Sequence, residues 1–205
     1  MFNNEPETVA AKTLYPLRVM GDYADLQTID GYDVAKAQEY LAQSNYNGET
    51  LKLYISSNEA LIAQSVQADL QAIGINVEIV QLDTYAYYAK ITDGGCQMTI
   101  LDFGTDQVST EDMLNFYVSD GYYGAYVYKT PEYDAVMEKI DNEYDAQARR
   151  ELVKQALEMQ YSFYNMVPMY ESYFNFVHRA ELTGFNPVSG ANYVYYLGKV
   201  KPTNA

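Results

Sequence analysis

Residues 51–80, LKLYISSNEALIAQSVQADLQAIGINVEIV, decide the fold. In 51–56 the apolar side chains Leu51, Leu53 and Ile55 alternate, the period of a strand that buries one face. The period then changes. Ser56 and Glu59 stand three apart, as in a capping box, and Ile62, Val66, Leu70 and Ile73 fall on one helical stripe. Gly74 follows the last turn, where a left-handed residue closes a helix. Residues 75–80 alternate again through Ile75, Val77 and Ile79. Strand, helix and strand in this order make a βαβ crossover, so the two strands run parallel.

The pattern extends in both directions. Upstream, YDVAKAQEYLAQSNY (32–46) reads as a helix capped by Asp33, with Val34, Ala37 and Leu41 on one side, and Asn47-Gly48 turns the chain. Downstream, Asp83 or Thr84 caps a helix carrying Tyr85, Tyr88 and Ile91, which Asp93-Gly94-Gly95 ends. QMTILDF (97–103) is a near-continuous apolar run, the mark of a strand covered on both faces. The fold class is therefore α/β: a mainly parallel sheet flanked by helices.

After residue 104 the texture shifts. Thr110 caps a short helix through Met113, Leu114 and Tyr117, and SDGYYGAYVYK is rich in glycine and tyrosine. Thr130-Pro131 opens a helix lined by Tyr133, Val136, Met137, Ile140 and Tyr144. Asp145 caps another, with Leu152, Ala156, Met159 and Phe163 as its stripe. VPMY and YFNFV read as short strands, and YVYYLGKV as one strand in the tail. Residues 1–30 lack periodicity and carry Pro6, Pro16 and Gly21, so they are read as an irregular or extended segment. The expected organisation is that segment at 1–30, an α/β body at 31–181 and a tail at 182–205.

Composition narrows function. Thirteen basic against 28 acidic side chains give a net charge of −15, which repels phosphate backbones and anionic lipid. A hydrophobic content of 48% is enough for a core and argues against disorder. Cys96 is alone, so the chain holds no internal disulfide and no thiolate metal cage; the plain reading of it is a buried small hydrophobe. No run approaches the roughly 18 apolar residues of a membrane span, and the first residues show neither the basic nor the apolar region of a secretory leader. Twenty-three tyrosines without tryptophan supply wide apolar rings with wet tips, either filling core edges or building part of a ligand surface.

Catalytic signatures are missing. With one histidine, a nucleophilic triad would need His178, which reads as a satisfied residue at the end of a strand. Glu111-Asp112 and the Asp141/Glu143/Asp145 group lack the order of a calcium loop and read as solvated helix ends. No cofactor and no metal site is expected, although a carboxylate-dependent hydrolase needs no local motif and stays open.

Four stretches resemble one family. YDVAKAQEYLAQSNYNGETLKL, ALIAQSVQADLQAIGINVEIVQLDTYAYYAKI, MTILDFGTD, and KTPEYDAVMEKI followed by ARRELVKQALEMQYSFYNMVPMY are similar, in order and spacing, to the C-terminal lobe of bacterial extracellular solute-binding proteins of family 5. These are the receptors of oligopeptide, dipeptide and nickel ABC importers. The resemblance covers about residues 32–200 and implies one lobe of a type II periplasmic-binding-protein-like fold, without catalysis. It further implies that residues 1–30 pack on an N-terminal lobe absent from this chain and that the tail returns toward the hinge or that lobe. The parent would be displayed outside the membrane, lipid-anchored or periplasmic, and would deliver an extended peptide to ABC permease subunits. A nickel or metal-chelate receptor of the same family is the alternative ligand class.

In that family an aspartate in a Gly-Trp-Gly-x-Asp loop receives the peptide's α-ammonium. The matching residue is Asp106, with Phe103 in the tryptophan position and Asp102 where glycine is usual. The main chain of Phe103, Gly104 and Thr105 would pair with peptide backbone, and Tyr126 and Tyr128 are further candidates. The competing reading gives Asp106 only a local turn bond and packs the two tyrosines under the loop.

Overall fold

The computed structural model describes residues 8–26, 28–101, 109–121, 130–172, 178–184 and 199–203. In chain order the elements are β1 (Val9–Ala10), α1 (Leu17–Met20), α2 (Val34–Gln43), β2 (Thr50–Ile55), α3 (Ala60–Ala72), β3 (Asn76–Gln81), α4 (Thr84–Thr92) and β4 (Met98–Thr99). There follow α5 (Thr110–Asn115), α6 (Pro131–Asn142), α7 (Ala146–Ser162), β5 (Tyr170–Glu171), β6 (Leu182–Thr183) and β7 (Lys201–Pro202), with 3-10 turns at Gly21–Tyr23 and Ser57–Glu59. They divide into two compact units, one of residues 30–102 and one that joins 2–29 to 103–205.

The first unit is the parallel sheet read from residues 51–80. β2 lies in the middle, pairing in parallel with β3 from Thr50↔Asn76 to Ile55↔Gln81 and with β4 through Leu53↔Met98 and Tyr54↔Thr99. Leu53, Ile55, Val77 and Ile100 bury against Ala63, with Ile62, Val66 and Leu70 of α3 packed alongside. Tyr54, between Leu53 and Ile55, points to the other face by the alternation of a strand. There Lys90 of α4 sits 5.4 Å from its ring centroid, so helices cover both faces. Gly74 takes φ +95, and the Ile75 N–H reaches back to the Leu70 carbonyl at 2.9 Å, the wrapped end that the sequence predicts.

Two local readings change. In α4 the buried residues are Tyr87 and Ile91, whereas Tyr85 is 89% exposed and Tyr88 about half exposed. The helix α2 forms where expected, with Asp33 accepting from the Lys36 N–H, yet none of its residues is buried.

The second unit is helical. Val136, Met137 and Ile140 of α6, Val153, Ala156 and Leu157 of α7, and Met113 and Leu114 of α5 form one core. Leu14, Tyr15, Val19 and Met20 join it, and β1 pairs antiparallel with β5 through Val9↔Glu171. The described part of the aperiodic N-terminal segment thus has its partner in this chain. It buries single side chains from a turn and one short helix, which leaves no period to read. The buried row of α7 is Val153, Ala156, Leu157 and Gln160, one residue off the expected stripe on most turns. Tyr144 lies beyond the end of α6 and is 93% exposed.

Caps fix where the helices begin. Ser109, not Thr110, caps α5 by accepting from the Asp112 N–H; Thr110 is buried and donates to the Val19 carbonyl at 3.2 Å. Asp145 accepts from the N–H groups of Gln147 and Ala148 at 3.1 and 2.9 Å. Asp145→Ala is therefore expected to cost about 1 kcal/mol. The loss would be seen as a lower urea midpoint with an unchanged slope. The expected strands at 173–177 and in the tail to residue 198 lie outside the described residues.

Candidate ligand-binding site

In an open parallel sheet, ligands sit outside the carboxyl ends of the strands, where strand order reverses. The order β3-β2-β4 supplies such a place. The chain leaves β2 through α3 to β3 on one side, then returns through α4 to β4 on the other. The carboxyl ends of β2 and β4 are neighbours whose connections part.

Four side chains furnish this edge. Tyr87, its ring buried, donates to the Ile100 carbonyl at 2.5 Å. Thr99 Oγ1 lies 3.0 Å from the Tyr54 carbonyl and 3.2 Å from Tyr87 Oη, so α4 is tied to the exit of β4. Burial raises the Tyr87 hydroxyl's pKa, against the pull of the Thr99 bond, and the charge of Glu59 raises it further. Glu59 is 8% exposed and accepts from the Ser56 hydroxyl at 2.5 Å. Sequence reading finds Glu59 only as half of a capping box. Tyr87 escapes it, because three tyrosines in four positions leave the period undecided.

The residues named from the sequence, Phe103, Gly104, Thr105, Asp106, Tyr126 and Tyr128, lie outside the described residues. The chain enters the first stretch from Leu101, just past β4, and emerges at Ser109, the cap of α5.

The other candidates have structural employment. Cys96 is partly buried, its Sγ 3.2 Å from the Met98 carbonyl; burial pushes the thiol up, with Lys90 pulling against it. His178 is exposed, with Nδ1 2.9 Å from the Arg179 carbonyl. Glu111 is not a solvated helix end: its Oε1 accepts from Tyr23 Oη at 2.9 Å and from Arg149 Nε at 3.1 Å. Arg149 also donates to the Ile140 and Glu143 carbonyls at the end of α6. Among the described residues no three His, Cys, Asp or Glu side chains are grouped to hold a metal ion. No described helix is long and apolar enough to cross a membrane.

The family model for bacterial extracellular solute-binding proteins, family 5, middle region, matches residues 5–125. The chain belongs to that family. Its members are extracellular or periplasmic solute-binding proteins. Among solved structures, DppA of Helicobacter pylori in complex with the peptide STSA superposes with a TM-score of 0.80 at 22% identity, covering 97% of this chain and 40% of that one. The substrate-binding protein CtaP of Listeria monocytogenes gives 0.80 at 17%, covering 98% and 43%. OppA of Haemophilus influenzae in complex with RPPGFSPFR gives 0.77 at 17%, covering 95% and 40%. These likenesses show the fold, and the chain spans about two-fifths of the length of each structure. No curated protein matches.

Proposed function

We propose that this family-5 chain is part of the receptor of an ABC importer and binds an extended peptide without transforming it. The observation that carries this reading is the reversal of strand order beside β4, whose following stretch holds the residues matching the family's ammonium-binding loop. Two neighbours of the same fold hold peptides, STSA in DppA and RPPGFSPFR in OppA.

In this reading Asp106 takes the peptide's α-ammonium as a charge-assisted partner. The main chain of Phe103, Gly104 and Thr105 pairs with peptide backbone, and Tyr126 and Tyr128 flank it. Main-chain pairing tolerates many side chains, which suits a receptor of mixed peptides. A second lobe in a longer parent closes over the guest, permease subunits receive it, and a lipid anchor or the periplasm keeps the receptor outside the membrane.

The test is a titration of the 205-residue chain with tetraalanine, followed by amide chemical shifts at millimolar peptide. Shifts clustered on residues 99–109 are expected, and N-acetylation of the peptide should weaken binding about tenfold or more, the worth of a charged hydrogen bond. Equal binding of free and acetylated peptide would remove the Asp106 assignment. The absence of any shift would remove the peptide reading.

A further inference from the structure

Asn47 is the one asparagine of the sequence that is followed by glycine. The pair lies in the loop that joins α2 to β2, and both residues are exposed. Gly48 has φ +96, and the place where a Cβ would stand has nothing within 4 Å. The Gly48 carbonyl accepts from Asn76 Nδ2 at 3.0 Å, but its N–H donates to no group among the described residues. The Asn47 main-chain N–H donates to the Glu49 carboxylate at 3.0 Å. The side-chain amide of Asn47 has no partner among the described residues.

An unpartnered side-chain amide and the unpartnered N–H of the next residue are the two halves of an intramolecular acyl transfer. Glycine, with no Cβ, leaves its nitrogen unhindered and lets the chain turn that nitrogen onto Asn47 Cγ. Holding the two groups side by side makes their reaction effectively unimolecular.

From these observations we propose that Asn47 is a site of spontaneous covalent change, passing through a five-membered succinimide to aspartate and isoaspartate. The Gly48 nitrogen bonds to Asn47 Cγ, and the amide nitrogen leaves with the Gly48 proton as ammonia. Water then opens the ring. Attack at Cγ restores the ordinary main chain as aspartate. Attack at the Asn47 main-chain carbonyl leaves Gly48 joined through the side chain, as isoaspartate. Either way one water is consumed, one ammonia is lost, and a neutral amide becomes a carboxylate.

The surroundings give the isoaspartyl product a consequence. Tyr46 Oη accepts from the Asn76 N–H at 2.8 Å and donates to the Glu49 carbonyl at 2.8 Å. The loop thus clamps the start of β3 beside the start of β2. Routing the main chain through the side chain of residue 47 inserts a methylene between Tyr46 and Glu49, the span that the clamp closes. The clamp stands at the amino ends of the strands, the opposite edge of the sheet from their carboxyl ends. The modification is therefore independent of the peptide-receptor reading.

The experiment holds the full chain in warm, mildly alkaline buffer, folded and in guanidinium chloride, and digests samples with trypsin for mass spectrometry. The peptide 37–52 should gain one dalton at Asn47, and methyl transfer by an isoaspartyl methyltransferase should label it. The peptide 53–90, which holds Asn58 and Asn76, should stay unchanged over the same time. Conversion in the folded chain is expected within about tenfold of the unfolded rate, a delay equal to about 1.4 kcal/mol of local opening. A greater delay, or conversion shared evenly with Asn58 and Asn76, overturns the assignment. Asn47→Gln, which would have to close a six-membered ring, should abolish the gain, and a gain that survives it also overturns the assignment. The comparison of the two wild-type peptides reads the chemistry even if that variant folds poorly. In the isoaspartyl product the Asn76 amide should exchange with solvent about tenfold faster, the worth of one hydrogen bond. Freshly prepared Asn47→Asp, which adds the charge and keeps the main chain, should exchange there as the wild type does. Equal exchange in the isoaspartyl product and the wild type removes the consequence for the clamp.

Discussion

Taken from about pH 8 to about pH 11, the chain should lose about 3 kcal/mol of stability through two tyrosines alone. Tyr15 and Tyr133 are both buried in the helical unit. Burial raises both hydroxyls well above the ordinary tyrosine value, helped by Tyr117 beside each, by Tyr133 at Tyr15 and by Asp134 at Tyr133. In the unfolded chain each ionises near pH 10. Below that value both states hold the proton and the contribution is complete. Above it the unfolded state releases protons that the folded state keeps, so stability falls as pH rises. One unit past the unfolded value costs about 1.4 kcal/mol per group. Tyr87 and Tyr23 shift in the same direction and steepen the loss. Urea midpoints across this range measure it, with phenolate absorbance followed alongside circular dichroism. The buried tyrosines should ionise in a step that coincides with loss of helical signal. Smooth ionisation of all 23 tyrosines with the helices intact would defeat the argument. Tyr133→Phe, which also gives up the 2.9 Å bond to the Leu114 carbonyl, should remove about half of the two-residue pH effect.

The parallel unit was legible because its signals agree. Period two in 51–56 gives way to a helical stripe, Gly74 closes it and period two returns, so each element is bounded as well as typed. Elsewhere the signals compete. In α4 the choice among Tyr85, Tyr87 and Tyr88 is made by a carbonyl thirteen residues on, at Ile100, which offers Tyr87 alone a partner. Residues 13–20 bury Leu14, Tyr15, Val19 and Met20 through a turn and a single helical turn, geometry with no repeat to detect. Glu111 looks like a solvated helix-end acid until folding brings Tyr23 and Arg149 to it, from 88 residues before and 38 after. The same limit holds at the candidate site. Asp106 is marked by family resemblance, whereas Tyr87 is picked out only by the bond that it makes to the Ile100 carbonyl.

The register of α7 offers a sharper comparison, since periodicity and structure disagree by one residue. A stripe through Leu152, Ala156, Met159 and Phe163 would make Leu152 a core residue; in the folded chain Leu157 is fully buried and Leu152 lies at the margin. Leu157→Ala removes a side chain enclosed by close-packed neighbours, so the loss combines transfer free energy with an unfilled cavity, about 3 kcal/mol within the range of 2–5. Leu152→Ala removes the same atoms where water already reaches, and about 1 kcal/mol is expected from the smaller area. Leu61→Ala, at a position 72% exposed, should change stability by less than about 0.5 kcal/mol and serves as the control. Urea denaturation of the three variants orders them without reference to any ligand. If Leu152→Ala costs more than Leu157→Ala, the helix is turned by about 100° from the orientation described, the angle between successive residues at 3.6 per turn. The two substitutions thus test which face of α7 the core selects. The observed row prevails because Val153, Ala156 and Leu157 share one core with Met113 and Leu114 of α5, Val136, Met137 and Ile140 of α6, and Val19 and Met20, neighbours that periodicity within one helix does not register.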